Sequence, residues 1–331
     1  MSRYYYLTIF LFLSFNLFSQ ENIKWDDVKS KDWPSECEVV KIPSSVDKEK
    51  QHAYFYKSKS DKTRPLIVSL HTWSGGYDQK DTLSWQCINK DYNYIHPDFR
   101  GSNNTFEACG SALVLSDIDD AIDYAIKNGN VDLNEIHITG VSGGGYTTLL
   151  AYMQTKHQIK TFTAWASISN LIDWYYESEG RKNKYSRDIA LATTGQKFDK
   201  KNYHIDIEEA KRRSPFFMET PVEKRMKSKL YIYAGVHDGY TGSVPITHSI
   251  NFYNKTVKDI DNAESKALIS NEDIIDLLTY RGFATVNGSI GGRAIYYEKN
   301  YQDKLQITLF EGGHERLDDL ALSLIEKDMY K

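Results

Sequence analysis

Apolar and polar positions along the chain fall into a repeating order. Pro65–His71 (PLIVSLH) is a continuous apolar run of strand length, and Tyr92–Pro97 (YNYIHP) is another. Between Ser116 and Asn128 the apolar residues Ile118, Ala121, Ile122, Ala125 and Ile126 recur at spacings of three and four. That spacing is one face of an amphipathic helix. Ser116 with Asp119 is its expected N-terminal cap, and Gly129 stands where such a helix ends. Glu135–Val141 (EIHITGV) reads as a strand, and Gly143–Lys156 as the helix that follows it. Phe162–Ser167, Leu230–Ala234 and Leu305–Phe310 are three further strand runs. Apolar strands alternating with helices predict βαβ units. The expected class is therefore α/β, with a mostly parallel central sheet flanked by helices.

Two stretches break the alternation. Residues 170–222 are aromatic and charged with no strand run, and residues 259–300 carry one helix near Asp273–Tyr280. Both exceed ordinary connections in a compact domain, so they read as insertions, the first as a helical cap. The polar stretch from Glu21 to about Lys62 is expected to form antiparallel edge strands. At the start, Leu7–Phe18 (LTIFLFLSFNLF) is an apolar run behind Arg3. It falls short of the about 20 residues that span a bilayer and fits a secretory leader, residues 1–19, ending at small Ser19. The expectation is a single domain over residues 20–331, exported to a periplasm or beyond the cell, with no membrane insertion after leader removal.

Composition narrows the class of partner. Lys and Arg number 41 against 45 Asp and Glu, a net charge of −4, which lacks the basic excess a nucleic-acid binder needs. Export makes the three cysteines relevant, because a disulfide persists in an oxidising compartment. Cys87 and Cys109 flank a predicted strand and loop and are the expected pair, with Cys37 left over. Connectivity is not readable from sequence. No CxxC or Cys/His pairing suggests zinc.

The chemistry-bearing motif is Gly140-Val141-Ser142-Gly143-Gly144, a G-x-S-x-G set between a predicted strand and a predicted helix. Such a turn projects a serine hydroxyl above the strand ends and aims the next N–H at a developing oxyanion. A serine needs a base, and the base needs an orienting carboxylate, in the order Ser, acid, His for this architecture. Asp238 lies in a glycine-flanked loop after the Leu230–Ala234 strand, and His314 lies in Glu311-Gly312-Gly313-His314 after the last strand. Asp303 is the alternative acid. Of the other histidines, His71, His96 and His137 precede the serine, His204 sits in the cap, His237 precedes the acid and His248 falls within a helix. The second oxyanion donor is expected from Leu70-His71-Thr72-Trp73-Ser74-Gly75-Gly76, specifically the Trp73 N–H paired with that of Gly143. The alternative for Trp73 is simple packing under the loop.

These residues resemble a family. Pro97-Asp98-Phe99-Arg100-Gly101, the run Ser116 to Ala125, Ile138 to Tyr146 around the serine, Arg213-Ser214-Pro215, Gly235 to Asp238 with Val244-Pro245, and Gly313-His314 are similar to the prolyl oligopeptidase catalytic domain. The resemblance runs from about Pro65 to the C-terminus. It implies an α/β-hydrolase fold and a serine hydrolase working through an acyl-enzyme, without metal or organic cofactor. Related enzymes carry a His-Gly-Gly-like oxyanion loop, from which Thr72 departs. Large members carry an N-terminal propeller that residues 20–64 are too short to build, which argues against endopeptidase-type activity.

Three functions follow from this pattern. The first expectation is a carboxylic-ester hydrolase on acylated carbohydrate. It rests on cap aromatics and cations, with Trp174, Tyr175 and Arg181 as substrate-binding candidates beside Tyr176, Tyr185 and Tyr203. The second is a serine peptidase on short peptides, with Glu177 or Glu179 meeting a peptide N-terminus. The third is a non-catalytic glycan-binding module, which intact Ser142, Asp238 and His314 disfavour. The expected partners are thus a small molecule, an oligosaccharide or a peptide.

Overall fold

The structure, a computed structural model, describes residues 31–197, 202–261, 266–283 and 286–330. The predicted leader lies outside the described residues. Among the described residues ten strands form one sheet: β1 (Glu38–Pro43), β2 (Lys50–Tyr56), β3 (Arg64–Leu70), β4 (Asn93–Pro97), β5 (Val131–Val141), β6 (Thr161–Trp165), β7 (Lys229–Gly235), β8 (Gly288–Ile290), β9 (Arg293–Tyr301) and β10 (Leu305–Phe310). Their spatial order is β1-β2-β4-β3-β5-β6-β7-β10-β9-β8. The six strands from β4 to β10 run parallel, with an antiparallel pair added at each edge. Leu66–Leu70 of β3 and all of β6 are buried, as expected of parallel strands covered on both faces.

Helices α1 (Leu83–Asn89), α2 (Ala112–Asn128), α3 (Gly143–Gln154), α4 (Leu171–Gly180), α5 (Tyr185–Thr194), α6 (Ile207–Arg213), α7 (Val222–Arg225), α8 (Thr247–Asp261), α9 (Asn271–Tyr280) and α10 (Asp318–Glu326) complete the element order. Helix α2 buries Val114, Leu115, Ile118, Ala121, Ile122 and Ala125, the predicted stripe extended by one turn. Its cap is Ser111, which accepts from Val114 N–H, rather than the predicted Ser116. Ser116 is instead paired with Ser45, and Asp119 binds Thr155 and Lys156. Helix α3 is buried from Gly143 to Met153, the mark of a helix enclosed on all sides.

The insertions differ in kind. Residues 170–222 supply α4, α5 and α6, a helical cap as predicted. Residues 259–300 hold α9, and also the hairpin β8–β9 that extends the sheet beyond β10. Sequence reading missed this hairpin because its strands are amphipathic and polar at the edge, with exposed Gly288 and Ser289. The expected Cys87–Cys109 pair is also corrected. All three thiols are free and buried, and the expected partners sit in separate core clusters. Cys87 packs with Cys37 beside α10, whereas Cys109 lies among α2 and α3 residues. No described helix is long and apolar enough to cross a membrane.

Candidate active site

The chain leaves β3 toward β4 on one side and leaves β5 toward β6 on the other. The crevice between the C-terminal ends of β3 and β5 is therefore the topological switch point, where open α/β sheets bind ligands. Ser142 sits there, between β5 and α3. Its backbone is forced to φ 58° and ψ −118°, a region that costs energy for any residue but glycine. Surrounding contacts hold it: Ser142 N–H donates to Trp165 O at 3.0 Å, and Tyr146 N–H donates to Ser142 O at 2.9 Å. The turn is possible because a Cβ on Gly140 would lie 2.4 Å from the Gly144 backbone.

The next residue sets how closely the β3 loop approaches. A Cβ on Gly143 would lie 2.2 Å from the backbone nitrogen of Trp73, so the β3 loop is seated directly against the first turn of α3. Gly143 N–H is at a helix start, where no intrahelical acceptor exists. Trp73 thus brings its amide beside that of Gly143, and also packs: its side chain is fully buried and its indole N–H donates to Asp188 at 3.2 Å. The packing alternative for Trp73 is thus met by its side chain, and it leaves the backbone N–H free of that role. Burial raises the Asp188 carboxyl pKa above its usual range, opposed by Lys184 and the indole hydrogen bond.

Asp238 follows β7 and His314 follows β10. His314 Nδ1 donates to Asp238 Oδ2 at 2.7 Å. The other carboxylate oxygen accepts from Gly239 N–H at 2.8 Å and Val244 N–H at 3.1 Å. An ionised carboxylate only accepts, so the proton lies on Nδ1 and Nε2 is the basic nitrogen. Backbone bonds continue past the strand ends as Ser142–Trp165, Ala166–Tyr233, Val236–Phe310 and His237–Gly312. This ladder ties the serine turn to the histidine loop across four strands.

The rivals are engaged elsewhere. His237 contacts Glu311 at 3.0 Å, His248 contacts Glu177 at 3.0 Å, and His71 has both ring nitrogens on backbone oxygens of Thr72 and Asp98. Asp303 lies in the β9–β10 turn. The substrate-binding candidates are placed differently from the expectation of open aromatic faces. Trp174 is fully buried, stacks on Tyr185 at 4.6 Å, and donates its indole N–H to Ser243 O. Tyr175 is 7% exposed and packs edge-on against Tyr176 and Tyr203. Arg181 is exposed and reaches the Gly242 and Ser243 carbonyls, next to the Asp238 loop. Glu177 and Glu179 accept from His248 and Tyr203.

One group was not foreseen. Arg316, two residues after His314, is buried between Asp81 and Asp318. Asp81 also accepts from Ser69 and Tyr94. Burial opposes its charge, but Arg316, His96 and the Ser69 hydrogen bond outweigh burial and hold the Asp81 carboxyl well below the usual carboxylate range. Nothing in a sequence announces a partner 235 positions away.

A doubly wound sheet with a strained serine turn at its switch point and an aspartate and a histidine two and three strands along is the α/β-hydrolase arrangement, that of a serine hydrolase. The chain belongs to the prolyl oligopeptidase family: residues 80–270, more than half its length, match the family of that description. No curated protein matches the sequence. Among solved structures it is similar to an acylaminoacyl peptidase in complex with Z-Gly-Gly-Phe-chloromethyl ketone, at 21% identity and a TM-score of 0.51 over 68% of this chain and 35% of that one. It is also similar to prolyl oligopeptidase B from Galerina marginata, at 16% identity and a TM-score of 0.53 over 68% and 32%. Dipeptidyl peptidase 4 from Porphyromonas gingivalis gives 17% identity and a TM-score of 0.50 over 67% and 30%. The chain thus spans about a third of the length of each, and at these identities the likeness is one of fold.

Proposed function

We propose that this chain is an exported serine peptidase that cleaves short peptides through an acyl-enzyme. The observation that carries the reading is the 2.7 Å contact of His314 with Asp238 on the same strand ends that present the strained Ser142 turn. Ser142 Oγ attacks the carbonyl carbon while His314 Nε2 takes its proton. The oxyanion is received by the Trp73 and Gly143 N–H groups. His314 then passes the proton to the departing amine as the C–N bond breaks. Water repeats the sequence on the ester, again through His314, and frees Ser142. Asp238 holds the imidazole tautomer and stabilises its cation.

Family membership favours peptides over acylated carbohydrate. The carbohydrate reading depended on aromatic faces open to sugar rings, and Trp174 and Tyr175 are packed instead. The test is a fluorogenic panel of aminoacyl and dipeptidyl amides, with Ser142→Ala as control. Ser142-dependent cleavage is expected. Inactivity across the panel, combined with release of acetate from acetylated oligosaccharides, overturns the peptidase reading. Fractionation of the producing cell with N-terminal sequencing tests export; recovery only in the cytoplasmic fraction with Met1 retained overturns it.

A further inference from the structure

Trp73 carries a second role through its side chain. Its backbone lies against Gly143, so its indole begins within one residue's reach of the nucleophile. The ring then runs between α3 and the cap. It lies 6.0 Å from Tyr146, one turn beyond Ser142, and stands edge-on to Trp174 of α4 at 4.7 Å. Asp188 of α5 fixes the far edge through the indole N–H. Lys184, at the start of α5, reaches Ser74 next along the oxyanion loop. Both indoles are 0% exposed, so this volume is filled and dry.

The position of this plug relative to the reaction matters. Along the sheet the order is Trp73 at the end of β3, Ser142 at the end of β5, then Asp238 and His314 after β7 and β10. His314 protonates the leaving group, so that group occupies the β7–β10 side. The substituent on the acyl carbon points away from that group, and the wall it meets toward the cap is the one where the Trp73 ring stands, edge-on to Trp174.

We infer that Trp73, backed by Trp174, closes the acyl side of the site, so that the enzyme takes carbonyls bearing small substituents such as acetyl, glycyl or alanyl and rejects bulky ones. The inference rests on Ser142 being the nucleophile, but not on the natural substrate being a peptide. Trimming an indole to a methyl opens a space on the order of 150 Å³, enough to hold a benzene ring. Side-chain size in an apolar pocket discriminates by about 10–200-fold.

The experiment compares kcat/KM for p-nitrophenyl acetate and p-nitrophenyl 3-phenylpropionate, which share a leaving group and differ only on the acyl side. Wild type should prefer acetate by at least about tenfold. Trp73→Ala should bring the ratio to about one or invert it. Trp174→Ala should do the same from the cap side, without touching the oxyanion loop. Because the readout is a ratio, general damage to the oxyanion loop cancels. Equal use of both esters by wild type overturns the proposal even if no variant folds. So does an unchanged ratio in a folded Trp73→Ala or Trp174→Ala protein, or an absence of Ser142-dependent turnover of either ester. Failure of the peptide panel with a ratio as expected removes the peptidase reading and leaves this one standing.

Discussion

Gly143→Ala is the sharpest probe of the oxyanion assignment. The added Cβ would sit 2.2 Å from Trp73 N and 2.4 Å from its Cα. A side-chain carbon needs about 3.0–3.4 Å from such atoms, so the amide must retreat by about 1 Å, a displacement that by itself costs on the order of 100-fold when it misplaces a catalytic group. Relief is hindered because Trp73 O accepts from Asn103 N–H at 2.8 Å and the indole is pinned to Asp188. Donors must stand about 2.7–3.1 Å from the oxyanion, and losing one costs about 10²–10³ in kcat, or roughly 2.7–4 kcal/mol. Because the full bond forms only in the transition state, kcat should fall while KM changes by less than about threefold. Steady-state kinetics on p-nitrophenyl acetate provides the assay, and a thermal melt verifies folding. Gly180→Ala, whose Cβ meets nothing within 4 Å, should match wild type. A folded Gly143→Ala protein with kcat within about threefold of wild type would refute the seating of Trp73 as an oxyanion donor.

Four further outcomes are expected. Asp238→Asn presents an amide to His314 Nδ1, reverses the favoured tautomer, and should lower kcat by about 10⁴ with an unchanged melting profile; a loss under tenfold would count against the dyad. Arg316→Met leaves Asp81 and Asp318 buried without their cation, so urea unfolding should show a loss of about 3–5 kcal/mol, and an unchanged midpoint would contradict the network. Burial alone would raise the Glu135 pKa, but bonds from His137, Lys160 and Tyr330 N–H outweigh it and hold it at about 2. A depressed carboxylate stabilises above its unfolded pKa, so that stability is complete above about pH 4.5 and is lost as pH falls toward 2. Glu135→Gln should flatten the acid limb of a stability–pH profile; an identical limb would refute the assignment. Burial pushes the Cys37 and Cys109 thiols up to about 12 and Cys87 well above the usual thiol value, so DTNB at pH 8 should find no reactive thiol in native protein and all three after unreduced denaturation. A smaller denatured count would reveal a disulfide.

Local chemistry was readable wherever it depended on neighbours in the chain. The strand runs at β3, β5, β6, β7 and β10 and the α2 stripe show themselves as periodicity, because each must bury an apolar face whatever its partners. The G-x-S-x-G turn is equally local: the glycines are dictated by a bend completed within five residues. The cap's existence followed from its length and lack of strand pattern. Its use did not follow. Trp174, Tyr175 and Tyr185 have the same composition whether they face solvent or each other, and only packing placed them inside. The β8–β9 hairpin was hidden because an edge strand buries little and so carries a weak pattern. The cysteine expectation failed because nearness to one strand in sequence says nothing about which face of the sheet a residue occupies. Arg316 between Asp81 and Asp318, Trp73 on Asp188, and the Trp73 amide against Gly143 are meetings between distant segments. The sequence determined which turns and stripes must exist. The tertiary structure decided which of them touch, since contact depends on the sheet order, and that order is set by burial summed over the whole chain.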